Sequence, residues 1–181
     1  MKYRNPIISG YNPDPSICRV GEDYYIVNSS FEFYPGVPVY HSRNLVNWEL
    51  EGYCLTEESQ LDLHGCRPSG GIYAPTIRYH QGTFFMTTTN TSGKGNFIVH
   101  TSDMKKGWSQ PAWVDQGGID PSLLFDDDGT VYFASTSMDS EGNTGIFLCQ
   151  VNPFTGERLT ESVVISRGCG GRYAEGPHLY K

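Results

Sequence analysis

Acidic residues occur beside prolines at the start of several short strand-like segments. The motifs are Asn12-Pro13-Asp14-Pro15-Ser16, Gly118-Ile119-Asp120-Pro121-Ser122 and Ala174-Glu175-Gly176-Pro177-His178. A fourth copy, Gly71-Ile72-Tyr73-Ala74-Pro75, has Ala74 where the others have a carboxylate. Positions 14, 74, 120 and 175 are separated by 60, 46 and 55 residues. If the strands surround one axis, this repeated entrance brings Asp14, Asp120 and Glu175 together.

Carboxyl groups that converge on one point can carry out general acid–base chemistry. Hydrolysis of a glycosidic bond needs one carboxylic acid to protonate the leaving oxygen and one carboxylate to act on water or on the anomeric carbon. A third acid beside the proton donor raises the pKa of the donor by like-charge repulsion. The alternative is structural, because an Asp before Pro is a common turn residue. Three acids at equivalent repeat positions favour the catalytic interpretation.

The composition favours an all-β domain with many turns. The 181 residues include 21 Gly, 11 Pro, 12 Tyr and 9 Phe, and helix-favouring stretches are few. The net charge of −7 argues against nucleic acid or an anionic membrane as a partner, whereas a neutral sugar suits both the charge and the aromatic content. No segment resembles a membrane span or the apolar core of a signal peptide, so we expect a cytoplasmic location.

The cysteines and histidines predict neither a disulfide framework nor a metal site. The five cysteines are an odd number and widely spread, at Cys18, Cys54, Cys66, Cys149 and Cys169. They contain no C-x-x-C pair, and the histidines share no metal-ligand spacing. Reduced thiols fit a cytoplasmic protein. Cys54 and Cys66 flank one loop and could pair under oxidation.

Short strands recur in units that are typical of a β-propeller. The predicted blades are 5–70, 71–116 and 117–172, and residues 173–181 begin a fourth. Three blades and one further strand leave open sheet edges, which propellers normally avoid by closing. We therefore expect a chain that is part of a longer protein or that is completed by association, including homo-oligomer formation through the open blade edges.

Two local patterns add detail to the blades. Ser42 and Trp48 are six residues apart, as are Ser102 and Trp108, and each pair follows a predicted third strand. This equal spacing predicts equivalent positions in two blades. The acidic turn 126–129 lacks the alternating ligands and the distal Glu of an EF-hand loop, so it predicts a plain hairpin turn rather than a calcium site.

Taken together, the four entrance motifs resemble family 43 of the glycoside hydrolases, and more narrowly its β-xylosidases. The similarity runs from Asn5 to Lys181, with the motifs in order. It implies a five-bladed β-propeller that hydrolyses with inversion of configuration. Asp14 would be the general base that activates water, Glu175 the general acid, and Asp120 the residue that orients Glu175 and elevates its pKa. An inverting pair stands about 6.5–9.5 Å apart.

The resemblance also implies a sugar pocket with aromatic walls. Phe31 matches a family position beside the bound xylose, and Tyr73 stands where an aromatic residue, more often Trp, is expected. Ala74, next to Tyr73, completes the predicted substrate-binding set. Packing between blades is the alternative for both aromatic residues. His178 follows the expected acid closely and is a candidate partner for it.

The implied activity is that of an exo-acting β-xylosidase that releases xylose from short xylooligosaccharides. An α-L-arabinofuranosidase or arabinanase acting on arabinose-containing oligosaccharides is the alternative within the family, because these activities share one set of acids. A non-catalytic sugar-binding propeller is a further alternative. No cofactor is expected, although the family sometimes holds a calcium or sodium ion in the channel. The chain lacks the family's C-terminal β-sandwich and last blades, so in isolation we expect it to be weakly active or inactive.

Overall fold

Twelve β-strands form three four-stranded antiparallel sheets in the computed structural model, which describes residues 3–171 and 173–181. The first sheet contains β1 (Ser16–Val20), β2 (Asp23–Val27), β3 (Gly36–Ser42) and β4 (Glu49–Leu55). The second contains β5 (Thr76–His80), β6 (Thr83–Asn90), β7 (Gly95–Thr101) and β8 (Ala112–Trp113). The third contains β9 (Ile119–Phe125), β10 (Val131–Met138), β11 (Thr144–Gln150) and β12 (Val163–Ser166).

Each sheet is a meander in which neighbouring strands are consecutive in the chain. The sheets lie within the ranges 5–70, 71–116 and 117–172, and their first strands, β1, β5 and β9, are neighbours in space. Helical structure in the described residues is limited to a 3-10 helix at Met104–Lys106. No helix in that part of the chain has the length and apolar character of a membrane span. The all-β prediction is confirmed.

The second sheet is the middle layer, and its strand β6 contributes to two cores. Phe84 and Met86 belong to the core shared with the first sheet, whereas Phe85 belongs to the core shared with the third. Side chains of a strand alternate between its faces, so both faces of β6 can be covered only if a sheet packs on each side. The outer strand β12, in contrast, is exposed at all four positions. The middle sheet is therefore packed on both faces, whereas the outer strand of the third sheet is exposed to solvent.

The acidic turn 126–129 connects β9 to β10 as a hairpin, as its sequence predicts. The Asp126 amide donates to the Thr130 carbonyl at 2.8 Å, and the Gly129 amide donates to the Asp126 carbonyl at 3.2 Å. Gly129 has a φ of 87°. That left-handed conformation is the one that glycine adopts without a steric cost.

The predicted equivalence of two serine–tryptophan pairs is wrong by one residue. Ser42 ends β3 and Thr101 ends β7, and the hydroxyl of each accepts a hydrogen bond of 3.1 Å from the amide two residues further on. Ser102 is exposed. Thr101 is therefore the counterpart of Ser42, and the equal spacing to Trp48 and to Trp108 from the two serines is a coincidence of sequence.

Residues 173–181 run beside β9, in the place expected for the first strand of a fourth blade. The Gly176 amide lies 3.2 Å from the Asp120 carboxylate, and the Lys181 ammonium pairs with Asp126 at the far end of β9. Residues 173–181 and β9 therefore run in the same direction. Residues 173–181 are not assigned to a strand.

Gly118 allows β9 to approach β10 closely at the strand entrance. A Cβ atom on Gly118 would lie 1.6 Å from the Thr136 carbonyl oxygen, and its φ is 90°. The register between the two strands shifts between Ala134 and Thr136, which brings that carbonyl toward the entrance. A side chain at position 118 would require the backbone to move, so Gly118 allows the close approach of the two strands just before Asp120.

We expect Gly118→Ala to destabilise the chain far more than the matched control Gly129→Ala. The two glycines have φ values of 90° and 87°, so both variants incur the left-handed strain of about 1–2 kcal/mol. Only Gly118 meets a carbonyl, whereas nothing lies within 4 Å of a Cβ on Gly129. The additional loss in free energy of unfolding should be about 2 kcal/mol or more, measured by urea titration. Equal losses would show that β9 can move away from β10 at no cost.

Candidate active site

Asp14 lies at the entrance of β1 and is held by the end of the neighbouring strand β2. The Ser29 hydroxyl donates to Asp14 Oδ2 at 2.5 Å, and the Ser29 amide donates to the Pro13 carbonyl at 3.1 Å. Asn28 Nδ2 also donates to the Pro13 carbonyl, at 3.1 Å. Because β1 and β2 are antiparallel, the residues that follow β2 meet those that precede β1. The carboxyl of Asp14 is thus fixed at one oxygen while its side chain stays exposed.

Asp14 and Asp120 share an uncommon backbone conformation. Their φ values are 53° and 55°, in the left-handed region that few residues other than glycine occupy. Such a conformation costs about 1–2 kcal/mol for an L-residue, and Asp tolerates it better than most because its side chain can hydrogen-bond locally. The two acids therefore leave the backbone in the same way at equivalent positions of two blades.

Asp120 is close enough to the other two acids to feel their charges. Burial raises the pKa of Asp120, and the nearby carboxylate of Glu175 raises this pKa further. The hydrogen bond from the Gly176 amide acts in the opposite direction, and the more distant charge of Asp14 adds a last increase. The structure thus brings Asp120 within electrostatic range of both Glu175 and Asp14, and the catalytic roles of the three acids stay predictions.

Glu175 is held by contacts on each side of it in the chain. The Thr136 hydroxyl of β10 donates to the Ala174 carbonyl at 3.0 Å. On the other side, the Gly176 amide donates to Asp120 Oδ2 at 3.2 Å. The Glu175 side chain itself is exposed. Two neighbours of the acid are therefore anchored to the third blade while its carboxyl remains accessible.

Phe31 and Tyr73 form a contiguous aromatic surface between the first two blades. Their ring centroids are 5.6 Å apart with an interplanar angle of 66°, and the Tyr11 ring lies 6.0 Å from Phe31 on the other side. Phe31 and Ile72 exchange two backbone hydrogen bonds of 2.9 and 3.0 Å, which join the blades. The Tyr73 hydroxyl donates to the Ser69 carbonyl at 3.1 Å. Both predicted aromatic residues are partly buried and in contact.

Ala74 lies at the entrance of β5, between the acid-bearing entrances of β1 and β9. Its position in the second blade corresponds to those of Asp14 and Asp120 in the first and third. A methyl group occupies less space than a carboxymethyl group, so this entrance leaves room between the two acids. The second blade consequently has no ionisable side chain at this position.

Several residues that shape the site were missed from the sequence. Ser29 could have been found, because pairing the strands before and after the predicted turn places it opposite Asp14. Thr136 could not, since its position depends on the register shift in β10. His178, a candidate partner for the expected acid, instead has its Nδ1 3.1 Å from the guanidinium of Arg78. Nothing in the sequence singled out Arg78.

Comparison with known families agrees with this geometry. The model described as glycosyl hydrolases family 43 matches residues 3–181. The chain belongs to this family. The resemblance drawn from the four entrance motifs is therefore confirmed.

Individual relatives in family 43 are named for two related activities. The non-reducing end α-L-arabinofuranosidase of Bacteroides ovatus is 48% identical over 184 residues, covering 99% of this chain and 34% of the relative. The β-xylosidase of Bacillus subtilis is 37% identical over 191 residues, covering 99% of this chain and 36% of the relative. The chain thus spans about a third of the length of the curated relatives it matches.

Solved structures of family 43 enzymes have the same fold. The xylan β-1,4-xylosidase of Bacillus halodurans C-125 superposes with a TM-score of 0.92 at 38% identity, covering 99% of this chain and 37% of that structure. The family 43 protein GH43B of Bacteroides ovatus gives a TM-score of 0.90 at 46% identity, covering 99% and 35%. These matches confirm the prediction of a partial β-propeller. The cytoplasmic location and the homo-oligomer stay predictions.

We expect Asp120→Asn to gain stability relative to the native chain as the pH rises. A carboxyl whose pKa is raised by folding binds its proton more tightly in the folded state, so its contribution to stability falls as the pH increases from about 3.9, the unfolded value. The fall continues until the raised folded pKa is passed. Asn can still accept the Gly176 hydrogen bond but has no proton to lose. Each pKa unit corresponds to about 1.4 kcal/mol.

Urea unfolding at pH values between 4 and 8, on the order of one unit apart, would measure this difference. Asp115→Asn is the matched control, since Asp115 is exposed and outside the group of acids. It should follow the native pH profile. A constant offset between Asp120→Asn and the native chain at every pH would mean that Asp120 titrates alike in the folded and unfolded states.

Proposed function

We propose that this chain carries the catalytic carboxyl groups of an inverting glycoside hydrolase that acts on pentosides. The observation that supports the proposal is that the charges of Glu175 and Asp14 both raise the pKa of Asp120, as expected for carboxyls grouped at neighbouring strand entrances. Inverting glycosidases need a protonated acid on one side of the glycosidic bond and a base with its water on the other. Membership of family 43 supports the same chemistry.

Asp14 is proposed as the general base. Ser29 occupies its Oδ2 as a hydrogen-bond donor, and no described residue donates to Oδ1. An exposed carboxylate with one oxygen anchored can present the other to a water molecule in a fixed direction. Removing a proton from that water as it attacks the anomeric carbon is the task of the base.

Glu175 is proposed as the general acid, with Asp120 as its positioning residue. A charged neighbour disfavours a second negative charge close by, and the carboxylate of Glu175 raises the pKa of Asp120 in this way. Glu175 is exposed and can reach a leaving oxygen, whereas Asp120 is partly buried and fixed by the Gly176 amide. The exposed member is therefore assigned the proton transfer.

Phe31, Tyr73 and Ala74 are proposed to bind the sugar. The two rings supply an apolar surface and the small Ala74 leaves space beside it, which suits a pentose ring with an apolar face. β-Xylosides of short xylooligosaccharides are the first candidate substrates. α-L-Arabinofuranosides are the second, because the Bacteroides ovatus relative that shares 48% identity is named as an arabinofuranosidase.

Variants of the two proposed catalytic residues should respond differently to the leaving group. Glu175→Gln should lower kcat on xylobiose by about 10²–10⁴-fold, but much less on 2,4-dinitrophenyl β-xyloside, whose leaving group needs no proton. Asp14→Asn should lower kcat on both substrates by a similar factor, since both need activated water. Initial rates would be compared for the 181-residue chain, in which we expect low native activity, and for a longer polypeptide that contains it.

Asp115→Asn, in the same polypeptides, is the control and should retain native rates. Proton NMR of the first product should show the α-anomer of xylose, as inversion requires. Hydrolysis of α-L-arabinofuranosides alone would replace the first candidate substrate by the second. Binding of xylooligosaccharides without turnover of any pentoside would instead support a sugar-binding propeller, and the catalytic proposal would be abandoned.

A further inference from the structure

Arg78 connects the second blade to the two strands on which Asp120 and Glu175 stand. Its Nε donates to the Leu123 carbonyl of β9 at 3.0 Å, and its Nη2 lies 3.1 Å from His178 Nδ1. Leu123 follows Asp120 by three residues, and His178 follows Glu175 by three residues. One guanidinium thus contacts β9 and residues 173–181 three residues after the acid in each.

The remaining contacts of Arg78 fix the orientation of its guanidinium. Nη1 donates to the Ile77 carbonyl of its own strand at 3.0 Å, and Cζ lies 5.3 Å from the centre of the Tyr180 ring. Among the described residues no carboxylate forms a salt bridge with Arg78. A partly buried cation without a counter-ion is stable only when its donors are satisfied. Carbonyl and imidazole acceptors supply that here.

Two titratable groups near Arg78, His178 and Cys18, have pKa values shifted toward their neutral forms. Arginine only donates hydrogen bonds, so His178 Nδ1 must be the acceptor. Burial and then the charge of Arg78 lower the pKa of His178, which favours this neutral form. Burial raises the pKa of the Cys18 thiol to about 12. The guanidinium therefore acts on the neighbouring strands through directed hydrogen bonds rather than through an ion pair.

We propose that Arg78 is a positioning residue that sets the separation of Asp120 and Glu175 by holding β9 and residues 173–181 to one point on the axis. The second blade has Ala74 in place of an acid at its entrance. Through Arg78, this blade instead helps to position the two segments that carry Asp120 and Glu175. The catalytic meaning of this role rests on the proposed function. The positioning itself is a property of the chain and can be measured without any substrate.

Positioning and a purely electrostatic role have opposite effects on Asp120. If Arg78 acted only as a nearby positive charge, its removal would raise the pKa of Asp120. If Arg78 holds β9 and residues 173–181 together, its removal lets Glu175 move away and exposes Asp120, and both changes lower the pKa of Asp120. Release of the Gly176 hydrogen bond acts the other way, but burial and the charge of Glu175 are the two larger causes, so the net pKa falls. The direction of the change therefore separates the two roles.

The experiment is a carboxyl ¹³C NMR titration of Asp120 in the 181-residue chain and its Arg78→Met and Arg78→Lys variants. We expect the pKa of Asp120 to fall in both, because Met has no donors and a lysine ammonium lacks the fork that spans Leu123 and His178. The Gly176 amide, released from Asp120, should exchange its hydrogen about tenfold faster.

Arg19→Met is the matched control. Arg19 Nε also donates to a backbone carbonyl, that of Gly21 at 2.7 Å, and its Cζ lies 5.5 Å from the Tyr24 ring, but among the described residues it forms no hydrogen bond or salt bridge with residues 173–181. Both readouts should keep their native values in this variant. His178→Phe keeps a flat ring and removes only the acceptor, so it should move both readouts as Arg78→Met does.

An unchanged or raised pKa of Asp120 in Arg78→Met, with native exchange at Gly176, would overturn the proposal. If Arg78→Met does not fold, His178→Phe decides by the same two readouts. Failure of the proposed function appears elsewhere, as missing hydrolysis of pentosides, and leaves the titration result intact. A lowered pKa without any hydrolysis would thus keep the positioning role and reject the catalytic one.

Discussion

β6 is buried along nearly its whole length and lies between the other two sheets, and the arrangement of the acids depends on this packing. Since its alternate side chains belong to two different cores, the first and third blades cannot shift relative to each other without opening one of them. The neighbouring strands β1, β5 and β9 are therefore fixed side by side. Their entrances meet at one end of the axis, which is where the carboxyls converge.

Asp14 and the segment around Glu175 are each held by a hydrogen bond from a residue of a neighbouring strand or of the loop that follows it. Ser29, at the end of β2, orients Asp14, and Thr136 in β10 orients the segment around Glu175. The carboxylate of Glu175 in turn raises the pKa of Asp120, after the larger effect of burial.

The sequence was sufficient to predict a partial propeller and to single out three acids at its strand entrances, because both inferences follow from repetition. Four similar entrances at blade-length intervals leave few alternatives to a common axis. It was insufficient where a single residue of register matters, as in the choice between Ser102 and Thr101, or in the contact between Gly118 and Thr136. Such features depend on bulges and carbonyl directions that residue types do not encode one by one. The role of Arg78 could not be predicted from the sequence, because its partners Leu123 and His178 are distant from it in the chain.

The left-handed backbone conformation at Asp14 and Asp120 also restricts which residue types fit at these positions. Asp, Asn and Gly are the residues that most readily occupy this region, and of these only Asp is an acid. A glutamate could offer the same functional group but would fit that conformation less well. Glu175 is not among the residues of positive φ in the described chain, so the longer acid is permitted there. The conformation of the main chain thus favours aspartate at positions 14 and 120 and permits the longer glutamate at position 175.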